Sequence, residues 1–419
     1  MTNAPIIVSL DVGTAYTKIC VARQLGPEKE PSVIALGVTA TEGLRKGNIV
    51  DIQDATRSIY IALEQASKMI EEDISEVIVS LNGQHITAKN TTGKVAVARA
   101  DGEVSQDDID RVRSNANPGP STQNNQTLEM VLKNFILDEE TGIKNPIGMN
   151  GIRLEVESLL LEGSSSAVKN LEKCVEGAGL QIKDRHVGIL SASESVLTKK
   201  QKELGVMVLD IGAGTTSLAV YEEGRLIHVA VIPLGSGHLT TDLAIGLRSS
   251  VDIAETVKIK YGYAMESAID EEKRKNIDLS KLHEDEEGVF PISYVASILE
   301  ERLKEIFNHV RQELVSIGRE GLLPAGVIMV GGGANIRSIV ELAKQELQLP
   351  VKIGKPEGVK GSIADVDNPF YATLIGLIIY GFEQQDEEET PFGEEEFFDD
   401  EEGSHIGQGI KDFISKLIP

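Results

Sequence analysis

The chain has 419 residues, 41% of them apolar, and a formal net charge of −25. That length allows two or more domains with their own cores. The acidity excludes nucleic acid as the main partner, because neutralising phosphates needs basic surface.

The N-terminus leads straight into an apolar strand, so no signal peptide is expected. The stretch from Ile7 to Val21 reads as strand, turn, strand, around Asp11-Val12-Gly13-Thr14-Ala15-Tyr16-Thr17-Lys18. Glycine in such a turn lets the backbone approach a phosphate closely, and threonine hydroxyls can donate to it. An Asp at the strand end suits Mg²⁺, which prefers oxygen ligands. Lys18 lies four residues beyond the turn and points either to phosphate or to solvent. Strands continue over 6–40, with turns expected at Gly26-Pro27 and Gly37. Residues 54–72 carry Ile59, Ala62, Leu63, Ala66 and Ile70 on one helical stripe. A strand over 77–81 ends at the turn signal Asn82-Gly83.

Residues 84–162 break this rhythm. A hairpin is expected from 85–89 and 94–99. Ser105-Gln106-Asp107-Asp108 reads as a capping box opening a helix to about Ser114. A polar loop covers 115–127, and strands follow over 130–136 and 152–161. The first pattern then returns, with a helix over 164–177, a strand over 186–190 and a helix over 191–199. Cys20 and Cys174 give no disulfide framework and read as reduced core thiols.

From Val208 the first motif recurs as Leu209-Asp210-Ile211-Gly212-Ala213-Gly214-Thr215-Thr216 and a second strand. One copy alone is an ordinary hairpin with a glycine turn. Two copies in one chain point to a shared ligand, with Asp11 and Asp210 organising Mg²⁺ and water. A strand over 227–233 and helices starting at Thr240 and Asp252 follow. Glu255 and Lys258 share a helix face, as a surface pair would. Residues 273–287 form an acidic loop, and a long helix covers 293–317. An apolar strand then runs into Gly331-Gly332-Gly333-Ala334-Asn335 and an amphipathic helix from Ile339. That places a side-chain-free turn and a helix N-terminus beside a ligand.

These three pieces resemble the superfamily of actin, sugar kinases and heat-shock chaperones. The resemblance implies an α/β actin-like duplicated ATPase fold that binds ATP and Mg²⁺ between two halves. The nucleotide-facing residues would be Gly13, Thr14, Ala15, Tyr16, Lys18, Gly212, Ala213, Gly214, Thr215, Thr216, Glu255, Lys258, Gly331, Gly332, Gly333 and Asn335. Small-molecule kinases and chaperone ATPases share this core. A kinase needs an acidic base and a closed pocket, and a chaperone needs a separate peptide-binding domain.

Within the superfamily the chain resembles the FtsA family of bacterial cell-division proteins. The resemblance rests on the insertion with Gly142–Met149 and Gly151-Ile152-Arg153-Leu154, on Glu255-Thr256-Val257-Lys258 before Tyr261-Gly262, and on the tail. It implies two actin-like domains, 1–83 with 163–203 and 204–245 with 325–382. It further implies an inserted α+β subdomain at 84–162 for self-association. A subdomain at 246–324 would take the adenine side and the C-terminal tail of the tubulin-like FtsZ, with Arg302 and Lys304 as partner-binding residues. Location at the cytoplasmic face of the cell membrane, with later division proteins as further partners, follows from the same resemblance. Related filament proteins open the helix after 186–190 with Glu-Pro; here the pair is Ser191-Ala192. Glu194, about one turn on, stands as the candidate acid, and ATPase activity is expected to be weak or absent. Family members often carry a His in the strand 130–136, and none is present.

Residues 383–402 hold twelve Asp or Glu and no Lys or Arg. Such a run self-repels, so 383–404 reads as a disordered acidic linker. Beyond it, Ile406, Ile410, Phe413, Ile414, Leu417 and Ile418 fall on one helical stripe. The stretch 405–419 is too short to span a bilayer. By pattern it lies in an interface or docks on a partner; the resemblance makes it a membrane-targeting helix on anionic lipid.

Overall fold

The computed structural model describes residues 5–26, 29–120, 122–270, 275–361 and 365–389. The chain opens with an antiparallel meander of β1 (Ile6–Val12), β2 (Tyr16–Arg23) and β3 (Ser32–Ala40). The turn expected at Gly37 is absent, because Gly37 lies inside β3. A Cβ there would come within 1.9 Å of the Ala62 carbonyl oxygen. The glycine seats a helix instead of turning the chain. After the short pair β4 (Leu44–Arg45) and β5 (Asn48–Ile49) comes that helix, α1 (Ile52–Ser67). Its cap is Asp51, whose carboxylate accepts from the amides of Gln53 and Asp54. Ile59, Ala62 and Ala66 are fully buried, as the stripe predicted. Strand β6 (Glu76–Leu81) then lies parallel to β1.

The inserted region holds a second correction. The expected hairpin is one strand, β7 (Thr87–Ala96). Its Gly93 again makes room for a helix: a Cβ would lie 2.2 Å from the Val112 carbonyl oxygen of α2 (Gln106–Ala116). The capping box of Ser105 and Asp108 is formed as read. Strands β8 (Asn125–Leu137), β9 (Glu140–Ile143) and β10 (Arg153–Ser164) complete a sheet ordered β7-β10-β8-β9. The expected polar loop is therefore shorter, with Ala116 still in α2 and Asn125 already in β8.

The chain returns through α3 (Ser165–Gly177) to β11 (Gln181–Val187), parallel to β6, and then through α4 (Gly188–Val196) and α5 (Lys199–Leu204). The second half begins with another meander, β12 (Val206–Ile211), β13 (Thr216–Glu222) and β14 (Arg225–Ile232). Helices α6 (Ser236–Leu247) and α7 (Val251–Tyr261), the pair β15 (Asn276–Asp278) and β16 (Val289–Pro291), and α8 (Ile292–Ser316) follow. Then come β17 (Gly326–Val330), α9 (Ile339–Leu347) and β18 (Val351–Ile353). The sheet orders β3-β2-β1-β6-β11 and β14-β13-β12-β17-β18 are the same sequence of roles. In each, an antiparallel meander extends from its first strand into two parallel strands. The duplication read in two hairpins thus extends to whole sheets.

The last segment departs from the expected boundary at 325–382. β19 (Lys360–Gly361) pairs with β3 of the first sheet. Helix α10 (Ala372–Glu389) meets the first half as well: the Tyr380 hydroxyl donates to Asp184 at 2.8 Å. Leu374, Ile375, Leu377 and Ile378 are at most 1% exposed, and that apolar run drives the return. Helix α10 also continues through 383–389, which the linker reading had left without structure. The next break in the sequence is Thr390-Pro391. The described residues up to Gly381 form one compact unit. The membrane residues Ile406, Ile410, Phe413, Ile414, Leu417 and Ile418 lie outside the described residues. No helix among the described residues is long and apolar enough to cross a membrane.

Gly376 shows how tightly α10 is seated, since a Cβ there would lie 1.7 Å from the Ser191 carbonyl oxygen of α4. Gly376→Ala is expected to cost about 1–3 kcal/mol by overpacking. Urea denaturation measures it, and an unchanged midpoint would refute this packing.

Candidate functional site

The two motifs fold as copies down to single bonds. In the first, Asp11 lies opposite Lys18 and the Gly13 amide donates to the Tyr16 carbonyl at 3.0 Å. In the second, Asp210 lies opposite Ser217 and the Gly212 amide donates to the Thr215 carbonyl at 3.0 Å. The turns face each other across the two halves. A Cβ on Gly214 would lie 2.5 Å from Thr14 Oγ1, so only glycine lets the second turn approach the first. Thr14 Oγ1 accepts from the Gly47 amide at 2.9 Å, which leaves the hydroxyl proton free to donate.

The copies differ at one place that matters. Lys18 is buried, and its ammonium sits 2.8 Å from Asp11 Oδ2. The sequence left Lys18 open between phosphate and solvent; here it faces inward. Ser80 and Asn82 donate to Asp11 Oδ1 at 2.6 and 2.9 Å. Asp210 has no such set of partners. Burial pushes its carboxyl up to about 6, the charge of Asp11 adds to the rise, and Lys18 and a hydrogen bond with Thr373 oppose it. Asp210 keeps a little solvent access, so the dense protein around the carboxyl governs the shift.

The third turn follows β17. Gly331 has φ of 83°, and a Cβ there would lie 2.1 Å from Asp210 Oδ1. Gly333 would strike Ile211 at 2.4 Å. Both glycines are therefore required by packing, although the sequence suggested ligand approach for all three. Gly332 alone is open, with nothing nearer than the Phe370 ring at 3.5 Å. The turn then forms a short 3₁₀ helix, Gly332–Asn335, and α9 starts only at Ile339. Asn335 is tied to Asn368.

Other expected residues fall into different roles. Thr216 is fully buried and its hydroxyl has no partner among the described residues. Thr215, Ala213, Ala15 and Tyr16 keep solvent access in or beside the turns. Glu255 and Lys258 are not a surface pair. The buried Lys258 ammonium bonds Glu255 at 2.7 Å, Thr240 Oγ1 at 2.8 Å and the Ser236 carbonyl at 3.1 Å. It braces α7 against the first turn of α6. That first turn begins at Ser236, four residues before the expected start. Ser236 and Gly237 amides donate to Gly212 and Ala213 carbonyls, both at 2.8 Å. Gly235, Ser236 and Gly237 thus build the site, and the Gly-x-Gly before an apolar helix was the signal that could have found them.

Glu194 is not part of the site. Its carboxylate pairs with Lys202 at 2.8 Å, and Lys202 lies over the Tyr221 ring. Tyr221 is opposite Val206, the end of β12 remote from Asp210. The start of α4 is what adjoins the Asp11 network, where a Cβ on Gly188 would lie 2.1 Å from Asn82 Oδ1. Glu194 falls about one turn beyond Ser191 and turns to Lys202 instead. Ser191, at the place of the family's acid, is buried and bonds the Val187 carbonyl.

Arg302 and Lys304 are not free cations. Arg302 donates to both oxygens of Asp242, at 2.6 and 3.0 Å, and Lys304 pairs with Glu300 and Glu301. Arg302 borders a groove of about 460 Å³ lined also by Asp242, Ser297, Ile298, Glu301 and Glu305. Ile245, one turn along α6 from Asp242, is 72% exposed.

Two like sheets carrying facing Asp hairpins, with a glycine turn closing the third side, define the actin-like ATPase fold. A solved PilM–PilN type IV pilus biogenesis complex aligns with a TM-score of 0.63 at 18% identity, covering 90% of this chain and 98% of that one. MreB5 of Spiroplasma citri aligns with a TM-score of 0.54 at 16% identity, covering 92% and 99%. The particular branch comes from sequence. The description "Cell division protein FtsA" matches residues 207–376, and "SHS2 domain inserted in FTSA" matches 83–161. The FtsA protein of Pseudomonas aeruginosa is 34% identical over 383 residues, 91% of each chain. That of Bacillus subtilis is 36% identical over 378 residues, 90% of this chain and 84% of that one. This chain belongs to the FtsA family of cell division proteins.

The raised Asp210 has a consequence for stability. Folded Asp210 binds its proton more tightly than unfolded Asp210. Its contribution to stability is whole below about pH 4 and is lost as pH rises through about 6. Asp210→Asn removes that loss, so the ligand-free variant is expected to exceed the parent at pH 8 by roughly 3 kcal/mol, at about 1.4 kcal/mol per pKa unit. The advantage should vanish near pH 4. Urea midpoints at the two pH values decide it, and a variant weaker than the parent at pH 8 would overturn the assignment.

Proposed function

We propose that this chain binds ATP with Mg²⁺ between its two halves and polymerises head to tail on the inner face of the cytoplasmic membrane. There it anchors FtsZ filaments at the division site, where later division proteins join. The observation that carries the nucleotide reading is the meeting of both Asp hairpins with the open face of Gly332. In support, MreB5 of Spiroplasma citri, a protein of the same fold, is described bound to ADP and to AMPPNP. The turn residues Thr14, Ala15, Ala213 and Thr215 would take phosphate oxygens, with α6 directing its N-terminus at the same turn. Two hard carboxylates fit Mg²⁺, and a carboxyl raised to about 6 beside a second one gains from added positive charge. Asp11, whose Oδ1 is already held by Ser80 and Asn82, would reach the ion through water. The ion's chemistry is neutralisation of phosphate charge.

Hydrolysis is slow in this reading, because no carboxylate stands where α4 begins. The nucleotide then acts as a switch for assembly. A contact between copies that does not close makes a strand, and the inserted sheet at 84–162 supplies one side of it. The groove at Asp242 and Ile298 takes the FtsZ tail through its apolar wall and exposed Ile245. Arg302, held by Asp242, serves as an oriented rim donor.

Gly332→Val places a β-branched side chain where only the Phe370 ring is near, so the protein should fold. Its affinity for labelled ATP in equilibrium dialysis with Mg²⁺ is expected to fall at least about tenfold, a loss of 1.4 kcal/mol. Glu194→Ala should leave both binding and turnover as in the parent. Full affinity in folded Gly332→Val would move the site elsewhere.

The tail supplies attachment. Lys411 and Lys416 offer about 1 kcal/mol each toward anionic lipid, and Asp412 opposes them. One helix therefore binds weakly, and arrays bind through avidity. Replacing Phe413 and Leu417 by Glu should abolish co-sedimentation with anionic liposomes. Equal sedimentation of variant and parent would leave a partner-docking helix instead.

A further inference from the structure

We propose that Lys18 and the segment 368–373 form a latch that stands closed without ligand and opens when phosphate and a divalent cation enter, a reading that rests on the nucleotide site above. Six residues, 368–373, run into the first turn of α10 and touch Gly331, Lys18, Tyr16, Asn335 and Asp210. The Pro369 carbonyl accepts from the Gly331 amide at 2.9 Å. The Phe370 carbonyl accepts from the Lys18 ammonium at 2.9 Å, and the Phe370 ring lies 4.3 Å from the same ammonium. The Tyr16 ring meets Phe370 edge to face at 5.4 Å. Asn368 bonds Asn335, and Thr373 bonds Asp210.

Lys18 is the pivot of this arrangement. Its ammonium is buried and is satisfied by one carboxylate, one carbonyl and one aromatic face, a set that replaces water. It supplies the positive charge that Asp11 and Asp210 require while no cation is near. A divalent ion at those carboxylates takes over that charge and repels the ammonium. The phosphate offers the ammonium a new partner on a flexible four-carbon stem. Lys18 then leaves Asp11 and the Phe370 carbonyl together. The segment loses its charged donor, and the change falls at the start of α10, the helix that runs into the acidic stretch.

The same geometry gives Phe370 a sign. Its ring stabilises the closed state only, so shortening it favours opening. If the ring instead touched the bound nucleotide, shortening it would weaken binding.

The test uses the full chain and two variants. Hydrogen exchange is followed by mass spectrometry over peptides covering 368–376, with folding checked by circular dichroism. Without nucleotide, Lys18→Met should exchange there about tenfold faster than the parent, while peptides in β12 and α8 stay unchanged. Parental exchange in the variant would overturn the latch whether or not ATP binds. In the parent, Mg²⁺-ATP should accelerate the same peptides; bound nucleotide with unchanged exchange would also overturn it. Failure of the parent to bind ATP in dialysis defeats the nucleotide reading and with it the opening step, while the nucleotide-free arm still judges the closed latch. Should Lys18→Met not fold, Phe370→Leu decides. It keeps the carbonyl and should bind Mg²⁺-ATP about 3- to 10-fold more tightly than the parent, the range of a single cation–π contact. Weaker or equal binding by Phe370→Leu refutes the proposal.

Discussion

Two carboxylates brought to one place by a duplicated fold need positive charge, and much of this structure follows from that need. Asp11 meets it with Lys18, Ser80 and Asn82. Asp210 meets it only in part and stays raised to about 6. The hairpins are alike in register and turn, so the asymmetry comes from a single pair of positions, Lys18 and Ser217. One lysine serves both halves. This explains why a charged side chain on an inner strand is buried at all, since burial of an unpaired ammonium would be costly.

The site depends on glycines packed closely against their neighbours, within the second half and, at Gly214, across to the first. Gly214 against Thr14, Gly331 against Asp210, and Gly235 against Gly212 are all places where a methyl group would not fit. The helices are seated by the same means, as Gly37 under α1, Gly93 under α2 and Gly376 against α4 show. Against this close-packed frame Gly332 is informative because it is not required by it. An open glycine beside two packed ones marks where space is kept for something else.

The core also explains how the inserted region belongs to the molecule. One buried cluster joins Leu159 and Leu161 of β10, Val187 of β11, Val208 of β12, Val330 of β17 and Ala372 of α10. The insertion is therefore packed into the junction of both sheets rather than hung from it. Lys133 of β8 reaches the Ile227 carbonyl of β14 at 2.8 Å, and Arg225 reaches the Gly142 carbonyl at 3.1 Å. A subdomain bound to both halves is placed to move with them.

By itself the sequence determined the duplication, the fold class, the position of both Asp turns, the stripe of α1, the cap of α2 and the presence of the long helix α8. These are local signals: alternation, helical spacing, caps and turn residues act within a few positions of one another. The resemblance to FtsA rested on such motifs too, and it held across most of the chain. What failed were readings that depend on distant partners. Gly37 looked like a turn because a glycine's local meaning is a turn, while here it faces a helix from elsewhere in the chain. Lys258 looked like a surface residue because the α6 turn that buries it is 18 residues away. Glu194 looked reachable because helical phase was counted without knowing where α4 begins relative to Asp11. The inward turn of Lys18, the return of α10 to the first sheet and the role of 368–373 had no local signal at all. Only the tertiary structure decided them, because burial and charge compensation are set by neighbours that sequence separation does not reveal.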